Sequence, residues 1–257
     1  MRNFLRNAAL LSLFIVGATL QLSARHEVND DDYKKRLIAH FNEKGIDIKP
    51  YFEDSRFELV PTIKTKFTKS AEKKLNTLND YKKVIGYDGK KRRIPEFVNN
   101  YKSELLKAEK EYGIPQEVIV GILAVESDFG VHKGRHNPFN AYVTMIAKDY
   151  RSDFALAQLE ELIEWADRNK VDVLSLKSSY AGAMSYAQFI PYSLNKWFVG
   201  TELYDMENNI YSVANYLKHF KEVTGSVEKA VFRYNPSTLY QQAVLALAED
   251  AKPYFES

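Results

Sequence analysis

The 257-residue sequence contains no cysteine. That excludes a disulfide framework, a thiolate metal site, a cysteine nucleophile and a lipid-bearing N-terminal cysteine. An excess of charge of one sign is also missing. The 36 basic and 34 acidic residues leave +2, so electrostatics give no argument for nucleic acid or another polyanion as partner. Long apolar runs are scarce. Ala8 to Leu20 has 13 residues, short of the roughly 20 that a helix needs to span a bilayer. Arg2 and Arg6 precede this run and the small residues Ser23 and Ala24 follow it, which is the order of an export signal. Residues 1–24 are therefore expected to be a signal peptide, with the mature protein soluble, outside the cytoplasm and without a lipid anchor. Leu22 at the minus-three position is larger than such cleavage sites favour, and an uncleaved anchor is the alternative.

Metal-ligand patterns are lacking too. Asp30, Asp31 and Asp32 have neither the glycine nor the terminal Glu of a calcium loop and read as a solvated, acidic helix start. His132 and His136 are four apart, but Gly134 breaks the helix that such ligands would need and no Glu lies between them in the right order. They read as loop histidines. No metal or cofactor is expected.

What is present is a chain with 45% hydrophobic residues, long enough to bury a sizeable core. Seventeen Tyr and fifteen Phe suit a protein that stacks rings on sugars, although aromatic core packing explains most such residues one by one. A first helix is expected over Tyr33–Asn42, stopped by Gly45. The pattern then weakens as far as Arg93. Tyr81 to Ile94 is strongly basic and reads either as a face for an anionic polymer or, preferably, as a solvated flap. Residues 25–92 are taken as an N-terminal extension packed on a main domain of residues 93–257. In that domain Pro95 is expected to open a long helix through Tyr112. Further helices are expected over Asn140–Lys148, Asp153–Asn169, Asn208–Phe220 and Tyr240–Ala251.

The stretch Val118–Gly130, VIVGILAVESDFG, ends an apolar helix on a carboxylate. Glu126 shares a helical face with Ile119, Ile122 and Leu123, where a charge is costly. Pro115 suits the first helical position and Gly130 can end the helix, which puts Glu126 in the last turn. The alternative for Glu126 is a buried acid paired with a basic side chain. A second informative stretch, Ser178–Ser193, interleaves Ala181, Gly182, Ala183, Ser185 and Ala187 with Tyr180, Tyr186 and Phe189. Small residues let a backbone or a ligand approach closely, and Gln188 offers both a donor and an acceptor, so this reads as a cleft edge.

Four blocks carry a resemblance: YGIP…IVGILAVES-x-FG, SYAGAM-x-x-x-QF-x-P, the SVANYL helix and YN-x-S-x-x-Y. In this order and spacing they resemble the membrane-bound lytic transglycosylases of type B, which cleave bacterial peptidoglycan. The resemblance runs from about Phe97 to Val244. It implies a mostly α, lysozyme-like (α+β) helical core with the N-terminal extension packed on it, and Glu126 as the catalytic acid. It further implies Ser179 beside the acid, Gln188 and Tyr216 in the sugar-binding cleft, Tyr234 and Asn235 on its wall, and Arg151 toward the peptide stem. Ser185 and Ala187 depart from glycines of the family pattern, and Ser152 stands where a second arginine is common. The implied partner is the glycan strand, with proteins of wall synthesis or remodelling as further partners, for a periplasmic protein expected to be a monomer.

Glycoside cleavage needs a proton for the leaving oxygen and a group that satisfies the developing oxocarbenium ion. Burial on an apolar face disfavours an ionised carboxylate, which suits Glu126 to hold that proton. Asp128, two residues on, points to another helical face and is a poor second carboxylate. A single Glu acting first as acid and then as base is the expected design, closing a 1,6-anhydro ring. The rivals are a hydrolytic muramidase and a non-catalytic wall-binding protein.

Overall fold

The computed structural model describes residues 32–61, 63 and 75–256. The expected signal peptide, Asp30 and Asp31 lie outside the described residues. Helix α1 (Asp32–Asn42) buries Tyr33, Leu37 and Phe41, and the chain leaves it through Gly45 at φ 76°. A single turn, α2 (Lys49–Glu53), follows, then α3 (Leu78–Ile85), whose N-cap Thr77 accepts from the Asp80 N–H.

Helix α4 (Tyr87–Tyr112) starts well before the expected opening at Pro95, which lies inside it. An interior proline costs about 3 kcal/mol or more, through a lost hydrogen bond and a clash with the preceding turn. What offsets this is burial on the helix's early turns, where Tyr87, Lys90 and Ile94 are enclosed. The helix bends at Tyr101 (φ −128°, ψ 19°) and ends at Gly113 in the left-handed conformation.

The next helix, α5 (Gln116–Ser127), is the centre of the core. Every residue from Val118 to Ala124 is buried, so it has no solvent face. Enclosing each of Ile119, Ile122 and Leu123 contributes about 1.5–3 kcal/mol relative to exposure. Its main neighbour is the last long helix, α11 (Thr238–Ala251), with α4 and α9 (Met206–Thr224) on other sides. The closeness of α5 to α11 depends on Gly121, where an added Cβ would lie 2.5 Å from the Val244 carbonyl oxygen.

Both ends of α5 differ by a residue or two from expectation. Pro115 is the N-cap rather than the first helical residue, and Asp128, not Gly130, makes the left-handed exit at φ 53°. Phe129 is left-handed as well and stacks on Phe97 at 4.5 Å. Asp is among the few residues that enter this region readily, and here its carboxylate is ion-paired with Arg93.

The remaining helices frame this pair: α6 (Pro138–Ala147), α7 (Ser152–Asn169), α8 (Pro191–Trp197) and α10 (Val227–Tyr234). Side-chain caps explain why three helices start earlier than expected. Asn137, Asp205 and Ser237 accept from Asn140, Asn208 and Tyr240 N–H groups, at the starts of α6, α9 and α11. The turns α8 and α10 were not anticipated, being too short to show a full apolar period. Among the described residues, extended pairing amounts to the two isolated bridges His136 with Ser178 and Met184 with Phe189.

Candidate active site

Glu126 stands half-buried in the last turn of α5, and the Tyr240 hydroxyl donates to its Oε1 at 2.6 Å. Tyr240 sits in the first turn of α11, 1% exposed, with its own N–H capped by Ser237 at 3.3 Å. Two more phenols lie near enough for the charge of Glu126 to act on them. Tyr234, the last residue of α10, donates to the Ala187 carbonyl at 2.6 Å, and Tyr216 of α9 donates to the Arg233 carbonyl at 2.9 Å. The Tyr216 and Tyr234 rings meet at 4.7 Å, and Phe189 lies within 5.7 Å of both.

Burial pushes all three phenols above their ordinary range, and the charge of Glu126 pushes them further. At Tyr216 the Arg233 guanidinium opposes this rise. These hydroxyls stay protonated at neutral pH, and each proton is engaged: on Glu126 for Tyr240, on the Ala187 carbonyl for Tyr234 and on the Arg233 carbonyl for Tyr216.

Asp128 belongs to a different arrangement. Its Oδ2 is ion-paired with Arg93, and its Oδ1 lies 3.8 Å from the Nζ of Lys90. Lys90 is 6% exposed and donates to the Ala124 carbonyl at 2.7 Å, at the C-terminal end of α5. Burial lowers the Lys90 pKa, while Asp128 opposes that shift. The basic segment read as a solvated flap thus contributes a cation to the underside of the Glu126 helix, where the negative end of the helix dipole favours it.

The loop 178–189 packs beside these phenols, its Ala187 carbonyl accepting from Tyr234. Ser178 and His136 exchange backbone hydrogen bonds at 2.7 and 3.0 Å. The Ser179 hydroxyl accepts from the Ala183 N–H at 3.2 Å and so is engaged within its own loop. Gly182, at φ 82°, sits where a Cβ would be 2.2 Å from the Tyr142 ring. Ser185 (φ 64°) and Gln188 (φ 51°) are left-handed, and Gln188 Nε2 donates to the Ser185 carbonyl at 2.9 Å. A serine where the family pattern has glycine therefore occupies a position that glycine would take without strain.

The structure thus brings Glu126, Tyr216 and Tyr234 together, with Asn235 adjoining Tyr234 as the C-cap of α10 and Gln188 adjoining Ala187. Ser179 lies in the other arm of the loop. Arg151 stands apart, exposed at the start of α7 with its guanidinium 4.2 Å over the Phe154 ring. Its charge reaches Tyr142, the ring that Gly182 approaches. Among the described residues no cluster of three or more His, Asp or Glu could hold a metal ion, and no helix is long and apolar enough to cross a membrane.

A profile of the family described as the Transglycosylase SLT domain matches residues 29–228. The chain belongs to that family. Over 137 residues this SLT-domain protein is 36% identical to the membrane-bound lytic murein transglycosylase B of Escherichia coli (strain K12), covering 50% of this chain and 38% of that protein. It therefore spans well under half the length of that relative. Its fold is similar to the soluble lytic transglycosylase SltB1 of Pseudomonas aeruginosa, with TM-score 0.79, 24% identity, and coverage of 88% of this chain and 99% of that one. The SltB3 protein of the same organism, in complex with NAG-NAM-pentapeptide, gives TM-score 0.72 at 19% identity over 87% of this chain and 78% of that one. The fold of this SLT-domain protein is mostly α and lysozyme-like.

Two residues that meet the Glu126 helix, Tyr240 and Lys90, were not picked out from the sequence as site residues. Tyr240 appears in the sequence only as the final letter of YN-x-S-x-x-Y; its signal was Ser237 three residues earlier, a helix cap that fixes Tyr240 in a first turn. Lys90 carried no signal, because it sits in a run of four basic residues and only packing shows which one turns inward.

Proposed function

We propose that this chain is a lytic transglycosylase that cleaves the β-1,4 bond between N-acetylmuramic acid and N-acetylglucosamine in peptidoglycan, leaving 1,6-anhydro ends. The observation that carries the reading is Glu126 at the end of a buried helix, gripped by Tyr240, with the nearby carboxylate of Asp128 committed to Lys90 and Arg93. A carboxylate held in that ion-pair cluster is poorly placed to act as a nucleophile, so Asp128 does not supply the second member of the two-carboxylate schemes of retaining and inverting hydrolases. Family membership and the relatives' printed names support the same substrate.

In this mechanism the Glu126 carboxyl gives its proton to the leaving glycosidic oxygen as the C1–O bond breaks. The ionised Glu126 then takes the proton of the muramic acid C6 hydroxyl as that oxygen bonds to C1. Atoms balance without water, and Glu126 ends protonated as it began. Tyr240 holds the carboxyl in place through both steps. Ser179, Gln188, Tyr216, Tyr234 and Asn235 line the sugar-binding side, and Arg151 lies toward the peptide stem. Export through residues 1–24, a periplasmic location, and residues 25–92 serving as an extension of a 93–257 catalytic domain belong to the same proposal.

The test is release of soluble fragments from purified sacculi. Glu126→Gln is expected to lower it by about 10²- to 10⁴-fold, the usual share of general acid–base catalysis; unchanged release overturns the assignment. Mass spectrometry of the wild-type products separates the rivals. Anhydro ends support the proposal, reducing ends make the protein a muramidase, and sacculus binding without products makes it a non-catalytic binder.

A further inference from the structure

Among the described residues Lys90 is the one lysine or arginine that is buried. An enclosed ammonium is costly unless it is both paired and hydrogen-bonded. Lys90 has a partner of each kind: it donates to the Ala124 carbonyl at 2.7 Å, and its Nζ lies 3.8 Å from Asp128 Oδ1. These partners stand two residues before and two residues after Glu126, so the ammonium spans the turn that carries the acid. Satisfying a carbonyl at a helix end does not by itself require burial. Lys221 donates to the Gly113 carbonyl, at the end of α4, through a solvent-exposed bond of 2.8 Å. The Ala124 carbonyl moreover already accepts from the Asp128 N–H at 3.1 Å, so it would keep a partner without the lysine. What the enclosed side chain adds is a charge.

Lys90 and Arg93 both reach Asp128, which sets two positive charges against one carboxylate. Arg93 is 46% exposed, where water and salt screen it, whereas a buried ammonium is screened much less. Burial lowers the Lys90 pKa, Asp128 and Glu126 raise it, and Arg93 lowers it. Glu126 and Lys90 are thus within electrostatic reach of each other. The other titratable groups on the elements around this end of α5 are Tyr81 of α3, Tyr216 of α9, Tyr234 of α10, Tyr240 of α11 and Tyr186 of the loop 178–189, with Arg233, His132 and Lys133 exposed. None of these is an enclosed cation. The cluster of Lys90, Arg93, Asp128 and Glu126 is therefore neutral when Glu126 is ionised and carries one positive charge when Glu126 is protonated.

We propose that Lys90 is a positioning residue for Glu126: from beneath the end of α5 it holds the turn that carries the carboxyl and supplies the positive charge that balances it once its proton has left. A carboxyl that serves as acid and then as base is an anion between the two steps, and that is the state this charge stabilises. Lys90 does not touch the sugar and exchanges no proton. The segment before residue 93 thereby takes part in the chemistry and not only in packing. The proposal rests on the reading of Glu126 as the acid and base of the reaction.

The experiment compares the full chain with Lys90→Met, which removes donor and charge, Lys90→Gln, which removes the charge and keeps an N–H donor, and Asp128→Asn, which keeps a residue tolerant of the left-handed exit. The pH profile of kcat/KM on soluble glycan strands is measured for each, its alkaline limb reporting the acid of the free enzyme. In parallel the carbon-13 resonance of the Glu126 carboxyl, assigned by its loss in Glu126→Gln, is titrated. Loss of the Lys90 charge disfavours the anion, so both lysine variants are expected to move the limb and the carboxyl midpoint upward by about one pH unit. The plateau should fall by up to about tenfold, because the acid is weaker. Asp128→Asn removes a negative charge and is expected to move both readouts downward. A plateau that falls in the lysine variants with limb and midpoint unmoved is the result of a purely structural contact and overturns the proposal. A downward shift in either lysine variant overturns it as well. Unchanged turnover by Glu126→Gln defeats the catalytic reading, while the carboxyl titration still decides whether Lys90 balances the charge of Glu126.

Discussion

At the residue scale the acid is defined by its neighbours as much as by its own position. Glu126 accepts from a phenol that is almost fully enclosed. Tyr240→Phe removes one oxygen and leaves the ring in place. A hydrogen bond to an ionised group contributes about 1.5–3 kcal/mol, so turnover on sacculi is expected to fall by about 10- to 100-fold. The bond is present in the resting protein, so folding stability should fall as well, by about 1 kcal/mol or more, which thermal unfolding reads. Full activity in the Phe variant would remove Tyr240 from the site. The helical face that carries Glu126 was legible from the spacing of Ile119, Ile122 and Leu123, all fully buried. The hydroxyl that meets it was not, because Tyr240 is 114 residues away in sequence and nothing local to either residue encodes the contact.

At the scale of elements, the approach of α5 to α11 decides whether the acid and the phenol meet at all. Gly121 permits it: a Cβ there would lie 2.5 Å from a backbone oxygen, which cannot rotate away as a side chain could. Gly121→Ala is therefore expected to destabilise the fold by about 1–3 kcal/mol, as overpacking does, despite alanine's better helix propensity. Gly89 in α4 is the control, since an added Cβ there meets nothing within 4 Å. Gly89→Ala should be neutral or stabilising by up to about 1 kcal/mol. Chemical denaturation of both variants checks the opposite signs; a neutral Gly121→Ala would show that the two helices can separate freely. Pro95 illustrates the same hierarchy. A local rule would start a helix there, but burial of Tyr87, Lys90 and Ile94 carries α4 two turns further back.

At the scale of the whole molecule, burial of so many phenols has a pH consequence. Tyr142, Tyr216, Tyr234 and Tyr240 are raised above the ordinary value of 10.0, burial being the first cause at each, and Tyr204 is raised to about 12. Above pH about 10 the unfolded chain loses these protons while the folded chain keeps them, so the unfolded state binds fewer protons and stability falls as pH rises. The stabilisation is complete below that pH. Thermal melts at pH 8 and pH 11 are expected to show a clear drop in Tm at the higher pH. An unchanged Tm would mean that these hydroxyls are not enclosed as described. The helical class, the order of the four motif blocks and the position of Glu126 on its helix were legible in the residues alone, because helical period and side-chain type are local properties. Three contacts arise only from packing: Tyr240 on the acid, Lys90 and Arg93 on Asp128, and the Arg56 carbonyl of the N-terminal segment on the Asn140 amide. Each of these depends on residues far apart in sequence being brought within hydrogen-bonding or ion-pairing reach, which only the packing of whole helices can do.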